Sequence, residues 1–353
     1  MRIGAILVIN DGPSLIGDFA PERRKPSRGS ITCAEILGRS VLDRTITRLR
    51  NVGIRTIAVI GGPSVLASPE KRDVEIIVAS NSFERWPAAQ QALREQGTQG
   101  IETVLMIGLG AYMELNAVDA LQFHRAQANP LTQLQDNQGP LDFWVVDSHW
   151  FRTAANDCTL PFRYGEFPGL PVPCHMSGYV NRLAEARDLR RLVLDAFLSR
   201  CEIRPEGREV RPGIWMDEGA RVAKFSRLVA PVYLGRSTKV EHSAVITRFS
   251  NLERHCQVGE GTIVDGATVL PHTVLGRGLE VSQAVVDGTR FVDLDRNVAL
   301  EIDDPNLIRD VAPLHSCAVA HRAYTSQPHR NQGDVFEFEY VQGLSRAEGR
   351  FSE

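Results

Sequence analysis

Three histidines, His242, His255 and His272, lie in a stretch of short repeating units, where an imidazole at a junction between subunits would suit general-base acyl transfer. Their separations of 13 and 17 residues do not repeat one position of an 18-residue coil, so exterior side chains are the expectation. Gly61-Gly62-Pro63-Ser64 follows an apolar run, and its free N–H groups could cradle an anion. A lone Gly pair is a weak signal, and a plain strand-to-loop turn is the expectation. Asp303-Asp304 and the pair His315 and His321 form no ligand spacing and read as solvated surface. Cys33, Cys158, Cys174, Cys201, Cys256 and Cys317 lie far apart with no C-x-x-C pair, which argues against a zinc knuckle or a disulfide framework and for reduced thiols in the cytoplasm.

Positioning such residues requires regular elements, and the strongest regularity is a period of six. Val222, Leu228, Leu234, Val240, Ile246, Leu252, Val258, Val264 and Leu270 are all aliphatic. Two positions before each stands a small or β-branched residue or a cysteine, from Ala220 through Thr268. A six-residue spacing wanders around a helix of 3.6 residues per turn, so a helix is excluded. A parallel β-helix explains it, since each flat side is one short strand with one aliphatic side chain inside and small residues at the corners. Steps of five at Leu275 and Val286, and of six at Val281, Val292 and Val298, read as tightened corners in a continuing solenoid over 213–298.

Upstream the texture alternates between strands and helices, as in an α/β domain with a mainly parallel sheet. Strands are predicted over 3–9, 54–60, 103–107 and 143–146, and helices over 40–51, 86–96, 116–128 and 183–200, with a Pro/Gly-rich loop over 161–173. The apolar run over 3–9 is too short to span a membrane. A net charge of −3 with scattered Lys and Arg leaves no footprint for nucleic acid or an anionic membrane surface. With 353 residues of 43% hydrophobic composition, the organisation expected is an α/β domain over 1–205, a β-helix over 210–300 and a partly flexible extension over 301–353.

Glu35-Ile36-Leu37-Gly38-Arg39-Ser40-Val41-Leu42-Asp43, with the helix and strand after it, resembles a signature of sugar-nucleotide pyrophosphorylases of the mannose-1-phosphate guanylyltransferase-like kind. Residues 104–125, ending in Phe123-His124-Arg125, resemble that family's strand, metal-binding turn and helix, and Gly178-Tyr179 with Asp188 resembles a worn Gly-Tyr-Trp-x-Asp-x-Gly-Thr-Pro-x-Asp element. Trp215-Met216-Asp217 is similar to part of that element, but hexads begin directly after it, so it reads as the first coil of the solenoid. The resemblance covers most of 1–300 and implies an α/β Rossmann-like nucleotidyltransferase domain followed by a left-handed parallel β-helix of hexapeptide repeats.

That family joins a nucleoside triphosphate to a sugar 1-phosphate, with carboxylates holding Mg²⁺. The resemblance places the nucleotide-binding turn at Asn10, Asp11, Gly12 and Ser14, and the phosphate-activating lysine at Lys25. It places the metal-binding aspartates at Gly110 and Arg182, so no metal ligand is expected there, and Mg²⁺ only if the protein is active. The expected function is a catalytically impaired, nucleotide- or sugar-nucleotide-binding regulatory or scaffolding subunit, self-associating or pairing with a catalytic paralogue through the β-helix. An active nucleotidyltransferase built around Lys25 and a hexapeptide acyltransferase are the alternatives.

Overall fold

The computed structural model describes residues 2–9, 33–62, 74–79, 81–156, 165–311 and 322–323. The first part of the chain runs β1 (Ile3–Ile9), β2 (Glu35–Ile36), β3 (Arg39–Ser40), α1 (Val41–Asn51), β4 (Thr56–Gly61), β5 (Glu75–Val78), α2 (Ser82–Thr98), β6 (Thr103–Leu109) and β7 (Tyr112–Glu114). It continues through α3 (Ala117–Ala126), β8 (Leu131–Asp136), β9 (Gly139–Asp147), α4 (Ser148–Asn156), β10 (Val172–His175), β11 (Tyr179–Asn181) and α5 (Ala186–Phe197).

One sheet has the order β10-β8-β9-β6-β1-β4-β5, with Arg322–Ala323 as a further strand parallel to β5. β1 lies between β4 and β6, parallel to both, and β9 is antiparallel to β6 and to β8. Alternation along β1 divides the core. Ile6 and Val8 pack with Trp86, Ala89 and Leu93 of α2, whereas Ala5, Leu7 and Ile9 pack with Leu42 and Ile46 of α1 and Leu189 and Val193 of α5. Three helix starts have a local cause: the Ser40 hydroxyl caps α1 at the Asp43 N–H, and the Asn81 and Asn116 side chains cap α2 and α3.

Several expected elements shift. The predicted helix over 183–200 begins at Ala186, because Leu183 takes a left-handed φ of 47°. The predicted loop over 161–173 runs into β10, where Pro173 is tolerated on an edge strand. Strands β5 and β8 and helix α4 lie outside the predicted elements; β5 and β8 are short, and α4 is a helix of nine residues that follows β9 directly.

From Ile214 the chain visits three parallel sheets in rotation, each strand pairing with the one a full coil ahead, as Leu234 does with Leu252 and Val240 with Val258. Inside, Leu234, Leu252, Val240, Val258, Ile246 and Val264 form a continuous apolar core. The hexad pattern therefore reports the inward column. The shortened step falls earlier than expected: Val269, not Leu270, continues the column from Leu252 to Val286, while Leu270 faces outward into the core beside α1 and α5. Beyond Asp287 the solenoid stops. Val292 pairs antiparallel with Val285, and Val298 with Asp293, so these valines belong to an antiparallel ribbon and not to further coils. Ile308–Asp310 then pairs antiparallel with Thr273–Leu275.

One outer face of the coil packs on the α/β layer through Tyr233, Leu270 and Val285. Helix α5 is fastened to it as well, Arg190 donating to the Phe249 carbonyl at 2.6 Å, while Arg187 donates to the Leu294 carbonyl of the antiparallel ribbon at 2.6 Å. Residues 312–321 and 324–353, most of the expected C-terminal extension, lie outside the described residues.

Candidate functional site

In an open, mainly parallel sheet, ligands bind outside the carboxyl ends of the strands where the strand order reverses. Here that place is the edge formed by Ile9, Gly61 and Leu109, since the chain runs from β1 to β4 and β5 on one side and returns through α2 to β6 on the other. The expected nucleotide turn Asn10, Asp11, Gly12 and Ser14, and Lys25, follow directly from Ile9 but lie outside the described residues.

Two glycines and one arginine define the described part of this edge. Gly61 ends β4 and its carbonyl accepts from the Ala79 N–H at 3.0 Å. Arg85, in the first turns of α2 and 6% exposed, donates to the Ile9 carbonyl at 2.7 Å, and its guanidinium lies 3.4 Å from where a Cβ on Gly62 would stand. A buried guanidinium at the end of β1 is the feature that residue reading missed. Only its place within an apolar helical run, Arg85-Trp86-Pro87-Ala88-Ala89, hinted at burial.

The structure brings Gly110 and Arg182 close together. β11 pairs antiparallel with β7, Asn181 opposite Tyr112, so Arg182 and Ala111 leave the ladder side by side with Gly110 adjoining. The guanidinium turns to the β8–β9 hairpin, meeting the Asp136 carboxylate at 2.7 Å, Gln138 Oε1 at 3.2 Å and the Pro140 carbonyl at 3.5 Å. It holds the hairpin across the edge. Among the described residues there is no cluster of three or more His, Cys, Asp or Glu side chains suited to a metal ion.

A cleft of about 330 Å³ adjoins this edge on the α1 side, with Leu49, Ile107, Met113 and Phe143 as its apolar wall. Its polar groups satisfy one another. Arg48 donates to the Met113 carbonyl at 2.6 Å and to Glu202 at 2.9 Å, and Tyr112 donates to Glu114 at 2.6 Å.

The other candidates resolve into structural parts. His124 of Phe123-His124-Arg125 is buried with Nδ1 2.8 Å from the Thr132 hydroxyl, tying α3 to β8, and burial pushes its pKa down. Trp215 stacks near Phe197 of α5, centroids 5.8 Å apart, at the first coil. His242 lies within 3.1 Å of the Lys224 carbonyl on the exterior. His255 and His272 do share one corner of adjacent coils, their rings stacked at 5.0 Å, contrary to the spacing argument. The coil between them is one residue short, which turns a 17-residue separation into a coil repeat. Asp304 accepts from the Asn306 N–H at 2.9 Å in a turn, whereas Pro63, Ser64, His315 and His321 lie outside the described residues.

The Glu35–Asp43 signature forms a junction with the coil. Between β2 and β3, Leu37 and Gly38 both adopt left-handed φ values, 53° and 92°, a tight hairpin turn. Glu253, fully buried on the coil, accepts from the Leu37 N–H at 2.7 Å and the Gly38 N–H at 3.0 Å. Arg254 beside it pairs with Glu35 at 2.9 Å.

Among known proteins, the chain is similar to the UTP–glucose-1-phosphate uridylyltransferase of Synechocystis sp., at 29% identity over 125 residues, covering 34% of this chain and 31% of that protein. The match spans about a third of the relative's length. No family model matches the chain. Among the described residues no helix is long and apolar enough to cross a membrane.

Proposed function

We propose that this chain is a sugar-nucleotide pyrophosphorylase-like protein whose α/β layer binds a nucleotide or sugar nucleotide at the carboxyl edge of β1, β4 and β6, with impaired turnover. It acts as a regulatory or scaffolding subunit, associating through a coil of the left-handed hexapeptide type. The partial likeness to a uridylyltransferase supports the nucleotidyltransferase part. The observation that carries the impairment is the Arg182–Asp136 ion pair.

Mg²⁺ requires hard anionic oxygens. Gly110 has no side chain, the neighbouring position holds a guanidinium, and the Asp136 carboxylate is already neutralised by it. These residues do not suit Mg²⁺. What they do suit is positioning. Arg85 holds the end of β1, and Arg182 clamps the hairpin that flanks the edge.

The test is pyrophosphate release with Mg²⁺ across nucleoside triphosphates and sugar 1-phosphates, run beside calorimetric titration of the same nucleotides. Binding without turnover is expected. Robust turnover would overturn the impairment and favour a working nucleotidyltransferase around Lys25. Arg182→Ala separates the two roles open to that guanidinium. As a hairpin clamp it costs about 0.5–1 kcal/mol of stability, typical of a partly exposed ion pair, with nucleotide affinity within about twofold. A tenfold or greater loss of nucleotide affinity would instead put Arg182 on a phosphate.

A further inference from the structure

The third face of the coil is unlike the other two. It consists of Arg227–Val229, Val245–Thr247, Ile263–Asp265 and Glu280–Ser282, parallel and in register, and among the described strands these pair only with one another. Leu228, Ile246, Val264 and Val281 point inward. Arg227, Val245, Ile263 and Glu280 therefore form one outward column, because neighbours along a strand face opposite ways. Ile263 is 39% exposed, and Phe225, at the corner leading into the first strand, is 85% exposed. Large apolar side chains so placed on a flat face mark a contact surface.

The order of the column matters. Its ends are Arg227 and Glu280, three strand spacings apart, about 14 Å, too far to pair within one chain. Its middle is Val245 and Ile263. A two-fold axis along the strands, between the second and third coils, sets each Arg227 opposite the Glu280 of a second copy and each Val245 opposite an Ile263. The same operation carries Phe225 to the corner that holds Gly278, where an added Cβ would meet nothing within 4 Å. Such self-complementarity is the requirement of an isologous interface.

We infer that this face is the site at which two copies of the chain pair, coil against coil with the coil axes antiparallel. It shares with the functional reading only the expectation of self-association, and it stands or falls without nucleotide binding. Four short strands bury well under the ~800 Å² per partner of a standard interface, so the dimer is a weak one that dissociates in the micromolar range. Its charged ends make it weaken with salt.

Sedimentation equilibrium of the full chain from about 1 to 500 μM tests this. Arg227→Glu sets an acidic group against Glu280 at both symmetry-related contacts and is expected to weaken the dimer at least about tenfold, as is Glu280→Arg, which sets two basic groups together. The double swap Arg227→Glu/Glu280→Arg restores the pairing and is expected to recover the wild-type constant to within about threefold. All three changes are on exposed strand positions, and thermal melts check that each variant folds. A wild-type chain that stays monomeric throughout, or a dimer indifferent to both single changes, overturns the proposal. Nucleotide titrations on the same variants are expected to be unchanged, so loss of pairing and loss of the nucleotide reading are distinguishable.

Discussion

Replacing Glu253 by alanine is expected to lower the unfolding free energy by about 3–5 kcal/mol. The carboxylate is closed off from solvent and accepts from the Leu37 and Gly38 N–H groups and from the Asn251 amide at 2.7 Å. Truncation leaves those buried donors without their acceptor, at about 1–3 kcal/mol each before relaxation. Relaxation is limited. A Cβ on Gly38 would stand 2.4 Å from the Tyr233 hydroxyl, which shows how tightly the hairpin turn is pressed on the coil. Urea unfolding followed by tryptophan fluorescence measures the change, and a loss under 1 kcal/mol would refute the role given to Glu253.

The same junction makes stability depend on pH. Burial, then the nearby Glu35, pushes the Glu253 carboxyl up to about 8, against the N–H donors that favour its anion. Burial pushes Glu35 up to about 7, with the Arg254 guanidinium opposing. Both folded values lie above the unfolded value, so between them the folded chain holds more protons than the unfolded one. Stability is therefore greatest below about pH 4.5 as far as these two groups are concerned, and declines as pH rises through 7 for Glu35 and 8 for Glu253. Each contributes a slope of at most about 1.4 kcal/mol per pH unit. In Glu253→Ala the upper part of that decline is expected to vanish in urea melts taken from pH 5 to 9. An unchanged slope would show that Glu253 stays ionised throughout.

Trp86→Ala is expected to cost about 3–5 kcal/mol, the range for a large aromatic removed from a closed core. Trp86 is 3% exposed and its ring meets Trp144 edge-on at 5.6 Å and Phe167 at 5.5 Å, contacts that add about 0.5–1.5 kcal/mol each beyond area burial. Its neighbour Arg85 reaches the Ile9 carbonyl, so the loosened start of α2 also weakens nucleotide binding in the proposed site. Trp86→Phe, which keeps the ring edge, is expected to lose about half as much. The two variants compared by urea unfolding and nucleotide titration make the check, and an alanine variant within 1.5 kcal/mol of wild type would sink the assignment.

Legibility followed distance along the chain. The inward column of the coil was readable because one aliphatic residue per side recurs at a fixed local step, and the alternation of β1 with α1 was readable because amphipathic spacing is local too. The shortened step was misplaced by one residue because Val269 and Leu270 are both aliphatic and both buried, one inside the coil and one against the other layer. That single residue also hid the alignment of His255 with His272. At the candidate site, the residue types at Gly110 and Arg182, neither of them a carboxylate, were visible in the sequence alone. The destination of the Arg182 guanidinium was not, since Asp136 lies 46 residues away on a hairpin with little periodicity.

By itself, then, the sequence determined the hexad core, the main alternation of strands and helices upstream, and which residue types occupy the candidate site. These depend on short-range chemistry, the matching of side-chain size and polarity to an element's period. Only the tertiary structure decided that Arg85 caps β1, that Glu253 holds a turn 216 residues earlier in the chain, that Arg182 is spent on Asp136, and that Val292 and Val298 leave the solenoid. Burial and hydrogen-bond partners are set by which elements meet in space, and no local pattern records that meeting.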